Sequence, residues 1–242
     1  MIRKLTSIAL GLVRTALMAG PPYLTDDPEP VDLHHWETYL FAAGQTVNGQ
    51  RSGLAPAFEA NYGPFEDAQL QFQIPRAYGD GDDGLRHRGY GDTQVGFKYR
   101  FVHESDFLPQ IAIYPQIQAP TGRSEDDLGS GHWRLFLPLW LQKGFGEWTT
   151  YGGGGWMRNP GLGNRDYTVW GWLLQRELGE GYSIGAEVFH QGSTALGLAA
   201  STTWDLGFEC AIATHLQLVG SGGEIFQGAK GSQYYLGIRG KF

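Results

Sequence analysis

The chain is dominated by a period-two alternation of apolar and polar residues, which recurs in segments of about ten residues. In one segment, Thr93, Val95, Phe97, Tyr99 and Phe101 alternate with Gln94, Gly96, Lys98 and Arg100. Because successive side chains of a strand point to opposite faces, the pattern predicts strands with one apolar and one polar face. Twelve such strands are predicted, at residues 34–44, 53–63, 67–77, 91–102, 107–119, 131–143, 147–157, 165–176, 181–191, 202–212, 215–225 and 232–242.

The connections between these predicted strands alternate in length. The tight ones are residues 64–66, 103–106, 144–146, 179–180 and 213–214, and the longer ones, rich in Gly, Asp, Asn and Ser, are residues 76–90, 120–130, 158–164 and 191–200. An even number of strands, with short turns at one end and long loops at the other, is typical of an outer-membrane barrel. We therefore predict an all-β, antiparallel up-and-down transmembrane β-barrel of about twelve strands over residues 34–242, with both termini on the periplasmic side.

Alternation alone does not say which face of the strands points inward. A soluble two-sheet sandwich or a lipocalin-type barrel would bury the apolar face, whereas a membrane barrel turns it towards lipid. Three features favour the membrane barrel: a polar face rich in Gly and opposite charges, aromatic residues near strand ends, and a chain that ends in Phe242. The aromatic residues that match interfacial girdles are Trp36, Tyr62, Tyr99, Trp133, Trp148, Trp156, Tyr182 and Trp204.

The composition excludes several other classes of protein. No apolar run reaches the length of about 18 residues that a membrane-spanning helix needs. The 25 acidic and 18 basic residues give a net charge of −7, which is too acidic for a nucleic-acid binder of the usual basic kind. A single Cys excludes an intrachain disulfide and a zinc cluster built from cysteines.

Residues 1–19 have the organisation of an export signal. Arg3 and Lys4 form a basic start, residues 5–13 are mostly apolar, and small residues follow up to Ala19. We predict a signal peptide that is cleaved near this point and directs the chain to the bacterial outer membrane. The alternative is an amphipathic helix at the start of a soluble protein.

Residues 20–33 form a proline-rich segment before the first strand. Pro21, Pro22, Pro28 and Pro30 stiffen it and exclude a helix or a central strand. We predict that it is either a periplasmic tail or a plug that folds into the barrel.

The predicted registers turn five acidic and five basic side chains towards the lumen. These candidate pore residues are Glu37, Glu59, Lys98, Arg100, Arg134, Glu187, Asp205, Glu209, Arg239 and Lys241. In a ring of twelve strands, the strand of Lys98 and Arg100 lies opposite that of Asp205 and Glu209. The hypothesis is a transverse field across the pore, since rings of charge set selectivity in channels. The alternative is a set of ion pairs that only hold a filled lumen together.

Several motifs resemble a known family of bacterial outer-membrane proteins. They are the proline-rich start at residues 20–30, His35-Trp36-Glu37, the strand at 91–101 and the stretch at 115–122. Together they are similar to the family named for the MetA pathway of phenol degradation, also called simply transporter. The resemblance implies a barrel associated with uptake of small compounds, aromatic ones among them. Phe242 resembles the C-terminal signal that the outer-membrane assembly machinery recognises.

We therefore predict an outer-membrane channel or transporter for small solutes, with aromatic or hydrophobic compounds as candidates, working by passive diffusion through or along the barrel. The alternatives are an outer-membrane hydrolase that acts on lipids, such as a phospholipase, and a closed structural barrel. An enzyme is not predicted, because His190 and Ser193 could meet only through a loop and no clear third partner follows them.

No cofactor and no metal site are predicted. The acidic loop at residues 80–83 misses the EF-hand spacing and is better explained as solvated. His34 and His35 are adjacent on a strand and so point to opposite faces. The predicted partners are outer-membrane lipid and lipopolysaccharide, the barrel-assembly machinery with periplasmic chaperones, and a small-molecule solute, with no nucleic acid.

Overall fold

The computed structural model describes residues 20–81 and 83–242, so the predicted signal peptide lies outside the described residues. Its strands are β1 (Trp36–Val47), β2 (Gln50–Tyr62), β3 (Ala68–Asp80), β4 (Arg86–Tyr90), β5 (Thr93–Val102), β6 (Gln110–Ile113), β7 (Gln116–Ala119), β8 (Arg134–Phe145), β9 (Trp148–Arg158), β10 (Tyr167–Gly179), β11 (Tyr182–Gln191), β12 (Ser201–Ala213), β13 (Leu216–Gln227) and β14 (Gly231–Lys241). A single 3₁₀ turn, Ser124–Asp126, lies between β7 and β8. Within the described ranges, no helix is long and apolar enough to cross a membrane.

The strands close into one antiparallel barrel. Neighbours in the chain pair with each other, and β1 pairs with β14. Strand β3 pairs with both β4 and β5, and β8 pairs with both β6 and β7. Strands β4 and β5 therefore share one position in the ring and β6 and β7 share another, which gives twelve positions and confirms the predicted barrel.

The two shared positions are interrupted strands. The first break lies at Gly91 and Asp92, and the second at Tyr114 and Pro115. Proline has no N–H to donate to a ladder, so it interrupts a strand that the alternation alone would continue. The strand predicted at 107–119 is accordingly split in two.

The connection predicted at residues 76–90 is wrong. Strand β3 continues to Asp80 and pairs with β4, so only residues 81–85 connect them. Strands β1 and β2 are also longer than predicted and are joined by Asn48-Gly49 alone. Both residues have positive φ, 51° and 85°, which is the conformation that an Asn-Gly hairpin turn requires.

The barrel has two different ends. The terminal end carries the start of the described chain, the C-terminus and the connections at residues 63–67, 103–109, 146–147, 180–181 and 214–215. The loop end carries the long connections at residues 120–133, 159–166 and 192–200. The assignment of the terminal end to the periplasm stays a prediction.

The exposure of the strands decides which face points inward. In β3, Leu70, Phe72 and Ile74 are exposed, whereas the glutamines between them are buried. The same alternation places Trp170, Trp172, Leu174, Ile184, Leu206, Leu236 and Ile238 on the outer surface. An apolar outside and a polar inside are the reverse of a soluble sandwich and fit a barrel that faces lipid.

The lumen also holds apolar side chains. The larger buried cluster consists of Tyr114, Phe136, Trp140, Met157, Tyr167, Val169 and Phe189. A second cluster consists of Tyr39, Phe41, Ala43, Ala57, Val219 and Tyr235. The inside of the barrel is therefore a packed interior over part of its height.

Candidate functional site

Most of residues 20–33 lie inside the barrel. We call residues 20–33 the lumen segment. Tyr23 is 1% exposed and packs with Tyr151 and Leu173, and Leu24 packs against the larger apolar cluster. The prolines limit the conformations of the free segment, so it loses less entropy when it is fixed in the lumen.

One wall of the lumen holds the segment through Glu187 of β11. Its carboxylate accepts a hydrogen bond from the backbone N–H of Leu24 at 3.0 Å and another from that of Thr25. Hydrogen bonds to a charged acceptor are roughly twice as strong as neutral ones. Nearby on β13, the Ser221 hydroxyl donates to the carbonyl of Pro22.

The opposite wall holds the segment through Lys98 of β5. Its ammonium lies 3.0 Å from Asp26 Oδ1, 3.5 Å from Asp27 Oδ1 and 3.4 Å from the carbonyl oxygen of Glu29. It also lies 4.9 Å from the centre of the Tyr114 ring. Burial raises the pKa of Asp26 to about 6, although the charge of Lys98 acts in the opposite direction.

Three wall glycines make room for the segment. The Tyr23 ring lies against Gly185 and Gly207, and the Thr25 side chain lies against Gly171. A methyl group at any of these glycines would overlap the segment side chain. These positions show why glycine is used where another part of the chain approaches a strand closely.

The predicted basic and acidic walls are thus linked through the lumen segment. Lys98 and Glu187, from opposite walls, each bind the segment. Asp205 accepts a hydrogen bond from Gln233, and Glu59 accepts one from Asn61 at 2.9 Å. The selectivity field across an open pore stays a prediction.

The remaining predicted pore residues form local pairs near the two ends. Arg100 binds Asp67 at 2.8 Å, and Arg134 lies 3.7 Å from Asp92. Arg239 pairs with Glu209 and lies 4.0 Å from Glu37, which also lies 3.5 Å from Lys241. Phe242 pairs with Trp36 through backbone hydrogen bonds of 2.8 and 2.9 Å, and its role as an assembly signal stays a prediction.

Sequence reasoning missed the acidic partners of the basic residues. Asp26, Asp27, Asp67 and Asp92 all lie outside the strands, so no alternation pattern marked them. Their signal was the presence of carboxylates just before or between strands whose inward faces carry Lys or Arg.

Sequence reasoning also missed a network of buried glutamines. Gln94 Nε2 donates to Gln71 Oε1 at 3.0 Å and to Gln116 Oε1 at 3.1 Å, and Gln118 Nε2 donates to Gln94 Oε1 at 3.0 Å. The alternation of Gln with apolar residues at 69–73 and 116–118 was the available signal. The network joins β3, β5 and β7 across the inside of the wall.

The lumen contains two cavities, and the lumen segment lines one of them. The terminal-end cavity, about 580 Å³, is lined by segment residues and by Glu37, Glu59, Lys98 and Arg239. The loop-end cavity, about 270 Å³, is lined by residues that include Gln118, Arg134 and Leu128. Among the described residues the two cavities share no lining residue. The larger apolar cluster lies between them, since Tyr114 reaches one cavity and Tyr167 the other.

The acidic loop at residues 80–83 and the two adjacent histidines form only local contacts among the described residues. Asp80 binds Arg86 at 2.8 Å, and Asp83 binds His87 at 3.1 Å, while Asp82 lies outside the described residues. His34 lies 3.4 Å from the hydroxyl of Tyr62, and His35 lies 2.9 Å from the carbonyl of Leu33. In the described part of the chain, no group of three metal-binding side chains comes together.

A comparison with family profiles identifies the group of proteins to which the sequence is related. The profile described as "Putative MetA-pathway of phenol degradation" matches residues 64–239, more than two thirds of the chain. The chain belongs to this family. The match to the phenol-degradation family starts after β2, so the lumen segment lies outside it. Among curated proteins, none gives a significant match to the chain.

Solved structures share the barrel fold. An outer-membrane channel from Pseudomonas putida F1 has a TM-score of 0.74 at 16% identity, over 89% of this chain and 98% of that chain. The KdgM porin in complex with disordered oligogalacturonate has a TM-score of 0.56 at 11% identity, over 84% and 99%. The CymD monoaromatic hydrocarbon channel has a TM-score of 0.51 at 8% identity, over 87% and 88%. The barrel of this phenol-degradation family member therefore matches those of bacterial outer-membrane channels and porins.

Proposed function

We propose that the protein is an outer-membrane channel for small solutes, including aromatic and hydrophobic compounds, which pass by diffusion through or along the barrel. One observation carries this proposal. A closed barrel with an apolar outer surface encloses two cavities, which are separated by the larger apolar cluster and by Leu24 of the lumen segment packed against it. A barrel of twelve strands is intermediate between small filled barrels and wide porins, so a short internal segment is enough to divide its lumen.

The lumen segment determines which path is available. A solute in the loop-end cavity meets the apolar cluster and Leu24 before it can reach the terminal-end cavity. Diffusion through the centre therefore requires the segment to move, whereas diffusion along the wall does not. The segment is held by polar contacts at Lys98, Glu187 and Ser221 and by the packing of Tyr23 and Leu24.

The uptake of labelled solutes by cells tests the proposal. A Gram-negative host that lacks general porins would express the full chain, and uptake of radiolabelled benzoate and 4-ethylphenol would be compared with an empty vector. We expect faster uptake of at least one compound. If cells with the protein and cells with the empty vector took up each compound at the same rate, the result would contradict the proposal and favour a closed structural barrel.

A disulfide lock separates the two paths. A β-carbon at Gly171 would lie 3.1 Å from Thr25 Cβ, so a small outward shift of the segment brings the pair to the separation of about 3.8 Å found in disulfides. The variant Thr25→Cys/Gly171→Cys, made with Cys210→Ser, would fix the segment to β10. Uptake that stops in the oxidised variant indicates the central path, and uptake that continues indicates a path along the wall.

We propose that the barrel is not a hydrolase, and the contacts of the histidine–serine pair considered from the sequence support this. His190 Nδ1 lies 2.9 Å from Thr202 Oγ1, and its ring stacks on Trp170. The Ser193 hydroxyl donates to the carbonyl of Ala195. A nucleophile and its base need a mutual hydrogen bond, and these two side chains are engaged elsewhere.

The apolar outer surface of the barrel also supports a proposal for the protein's location and partners. We propose export by the signal peptide, insertion by the barrel-assembly machinery with periplasmic chaperones, and contact with outer-membrane lipid and lipopolysaccharide. The exposed belt that includes Phe72, Trp172 and Leu206 supports the lipid contact. The acidic net charge of −7 supports the absence of nucleic-acid partners.

A further inference from the structure

The loop-end cavity has the size of a site for one small ring compound. Its volume is about 270 Å³, whereas an apolar cavity of about 150 Å³ is enough to hold benzene. Its wall combines polar side chains, such as Gln73 and Asn159, with the apolar side chains of Leu54, Pro75, Ala77, Leu128, Tyr167 and Leu198. A ligand that has both an apolar body and a polar group therefore matches the wall.

Two polar groups of the cavity wall lack a partner. Gln118 and Arg134 face each other in register on β7 and β8, and both line the cavity. Gln118 is 4% exposed and Arg134 is 9% exposed, and Gln118 Oε1 and Arg134 Nε form no hydrogen bond with the described residues. The amide of Gln118 is oriented by its bond to Gln94, which leaves its oxygen as an acceptor.

Leaving the two atoms without hydrogen bonds costs free energy, and one of them is an acceptor and the other a donor. An unsatisfied buried donor or acceptor costs roughly 1–3 kcal/mol, so a ligand that satisfies both is favoured. Neither atom has surface exposed to the cavity as the side chains stand, so a ligand reaches Gln118 Oε1 and Arg134 Nε only when the two side chains rotate towards it. The ligand must accept one hydrogen bond, from the guanidinium, and donate one, to the amide oxygen.

The charges around the pair disfavour an acid. Asp92 lies 3.7 Å from Arg134, and its carboxylate accepts N–H bonds from Gly122 at 3.0 Å and Ser130 at 2.8 Å. Asp127 is a second carboxylate in the cavity wall. The charge of Arg134 is therefore already balanced, and a ligand carboxylate could not donate to Gln118.

We infer that the loop-end cavity is a binding site for a small, neutral, largely apolar compound with one hydroxyl group, which Gln118 and Arg134 recognise. A hydroxyl is one donor and two acceptor positions, so a single group satisfies both side chains. The inference rests on the proposed function in that this site receives the solute before it crosses the barrel.

Equilibrium binding tests the site without measuring transport. The full chain would be placed in lipid nanodiscs and titrated by calorimetry with 4-ethylphenol, ethylbenzene and 4-ethylbenzoate, with protein-free nanodiscs as reference. The three probes share the ring and the ethyl group and differ in the polar group. We expect saturable 1:1 binding of 4-ethylphenol, with affinity at least about tenfold higher than for the other two, which corresponds to about 1.4 kcal/mol.

Matched variants connect the binding to the two residues. Gln118→Leu removes the acceptor, and we expect it to weaken 4-ethylphenol binding about tenfold. Arg134→Lys keeps the charge opposite Asp92 but displaces the donor. We expect this variant to lose a similar amount of affinity. Gln142→Leu makes the same change in the terminal-end cavity and should have no effect. Circular dichroism and heat-modifiable migration in gels would verify that each variant is folded.

The outcomes of this titration are distinct from those of the uptake assay. Three results would each overturn the inference. Binding of 4-ethylphenol that does not saturate would indicate a water-filled cavity. The other two are equal affinity for all three probes, and equal affinity of Gln118→Leu and Gln142→Leu for 4-ethylphenol. Saturable binding without uptake would contradict only the proposed transport function. Uptake without binding would contradict only this site.

Discussion

The two cavities of one barrel differ in the side chains that line them. The terminal-end cavity is bordered by ionisable groups from the wall and from the lumen segment, among them Asp26, Glu59 and Arg239. The loop-end cavity has fewer ionisable groups and more aliphatic side chains, and Gln118 Oε1 and Arg134 Nε in its wall have no hydrogen-bond partner among the described residues. Because the strands of both halves follow the same alternation, the difference comes from what the connections and the lumen segment add to each end.

The lumen segment contributes to one cavity only. Residues 20, 21, 26, 27 and 29–32 line the terminal-end cavity, and no segment residue lines the loop-end cavity. A solute that enters from the loop end would therefore meet the less charged cavity first and the more charged one only after the segment has moved. This asymmetry predicts that changes at the segment contacts alter passage, whereas changes in the loop-end wall alter binding.

The largest expected effect follows from Lys98→Met. The substitution leaves Asp26 and Asp27 in the lumen without their cation, and loss of one partner of a buried pair typically costs about 3–5 kcal/mol. We expect the segment to leave the lumen. Planar-bilayer recordings should then show larger openings than the unmodified chain, and limited proteolysis should cut within residues 20–33.

Lys143→Met is the matched control for this change. Lys143 pairs with Glu104 at 3.2 Å at the terminal end, where both side chains are partly exposed. Pairs of this kind contribute about 0–1 kcal/mol, so conductance should not change. Equal conductance of the two variants would show that the Lys98 contacts do not hold the segment.

A smaller effect is expected from Gly207→Ala. The new methyl group would overlap the Tyr23 ring, and overpacking of this kind costs typically 1–3 kcal/mol. We expect more frequent openings in single-channel recordings and partial rescue by Tyr23→Ala. Gly222→Ala is the control, because its methyl group would meet only a backbone oxygen of Gln233 at 3.7 Å. The idea that the ring fits against a glycine wall fails if both alanine variants behave alike.

The strands were predictable because their physical cause is local. The alternation around Leu70 and Phe97 requires a half-apolar surface whatever the rest of the chain does. The side that faces inward was predicted from additional features, among them the aromatic residues near strand ends, and the exposure of Leu70 and Phe72 agrees with it. The break at Pro115 could have been predicted from the chemistry of proline, since Pro has no N–H to donate.

The contacts of the segment could not be predicted in the same way. Proline fixes the local conformation of residues 20–33 but not their place in the barrel. Lys98 and Glu187 could be assigned to the lumen from their strand registers, but their partners at Asp26 and Leu24 are more than 70 residues away in the chain. Only the closed ring brings these residues together.

The smallest predicted effect concerns the terminal end alone. Although partial burial of Asp67 acts in the opposite direction, Arg100 and His103 hold its pKa below the usual value. A lowered pKa in the folded state contributes stability that is present above the unfolded pKa and is lost as the pH falls through the folded one. We expect Asp67→Asn to lower the free energy of unfolding at pH 7 by at most about 1 kcal/mol, seen as a slightly lower thermal midpoint, and to have no effect near pH 2. A difference that persists at pH 2 would contradict the ion-pair explanation.

The most direct test of the central claim is the conductance of a locked and then released barrel. Lys98→Met would be combined with Thr25→Cys, Gly171→Cys and Cys210→Ser, and one population of channels would be recorded in a planar bilayer before and after reduction. If the lumen segment separates the two cavities, the oxidised barrel stays closed and the reduced barrel opens. Equal conductance in both states, with the disulfide confirmed by mass spectrometry, would contradict that account.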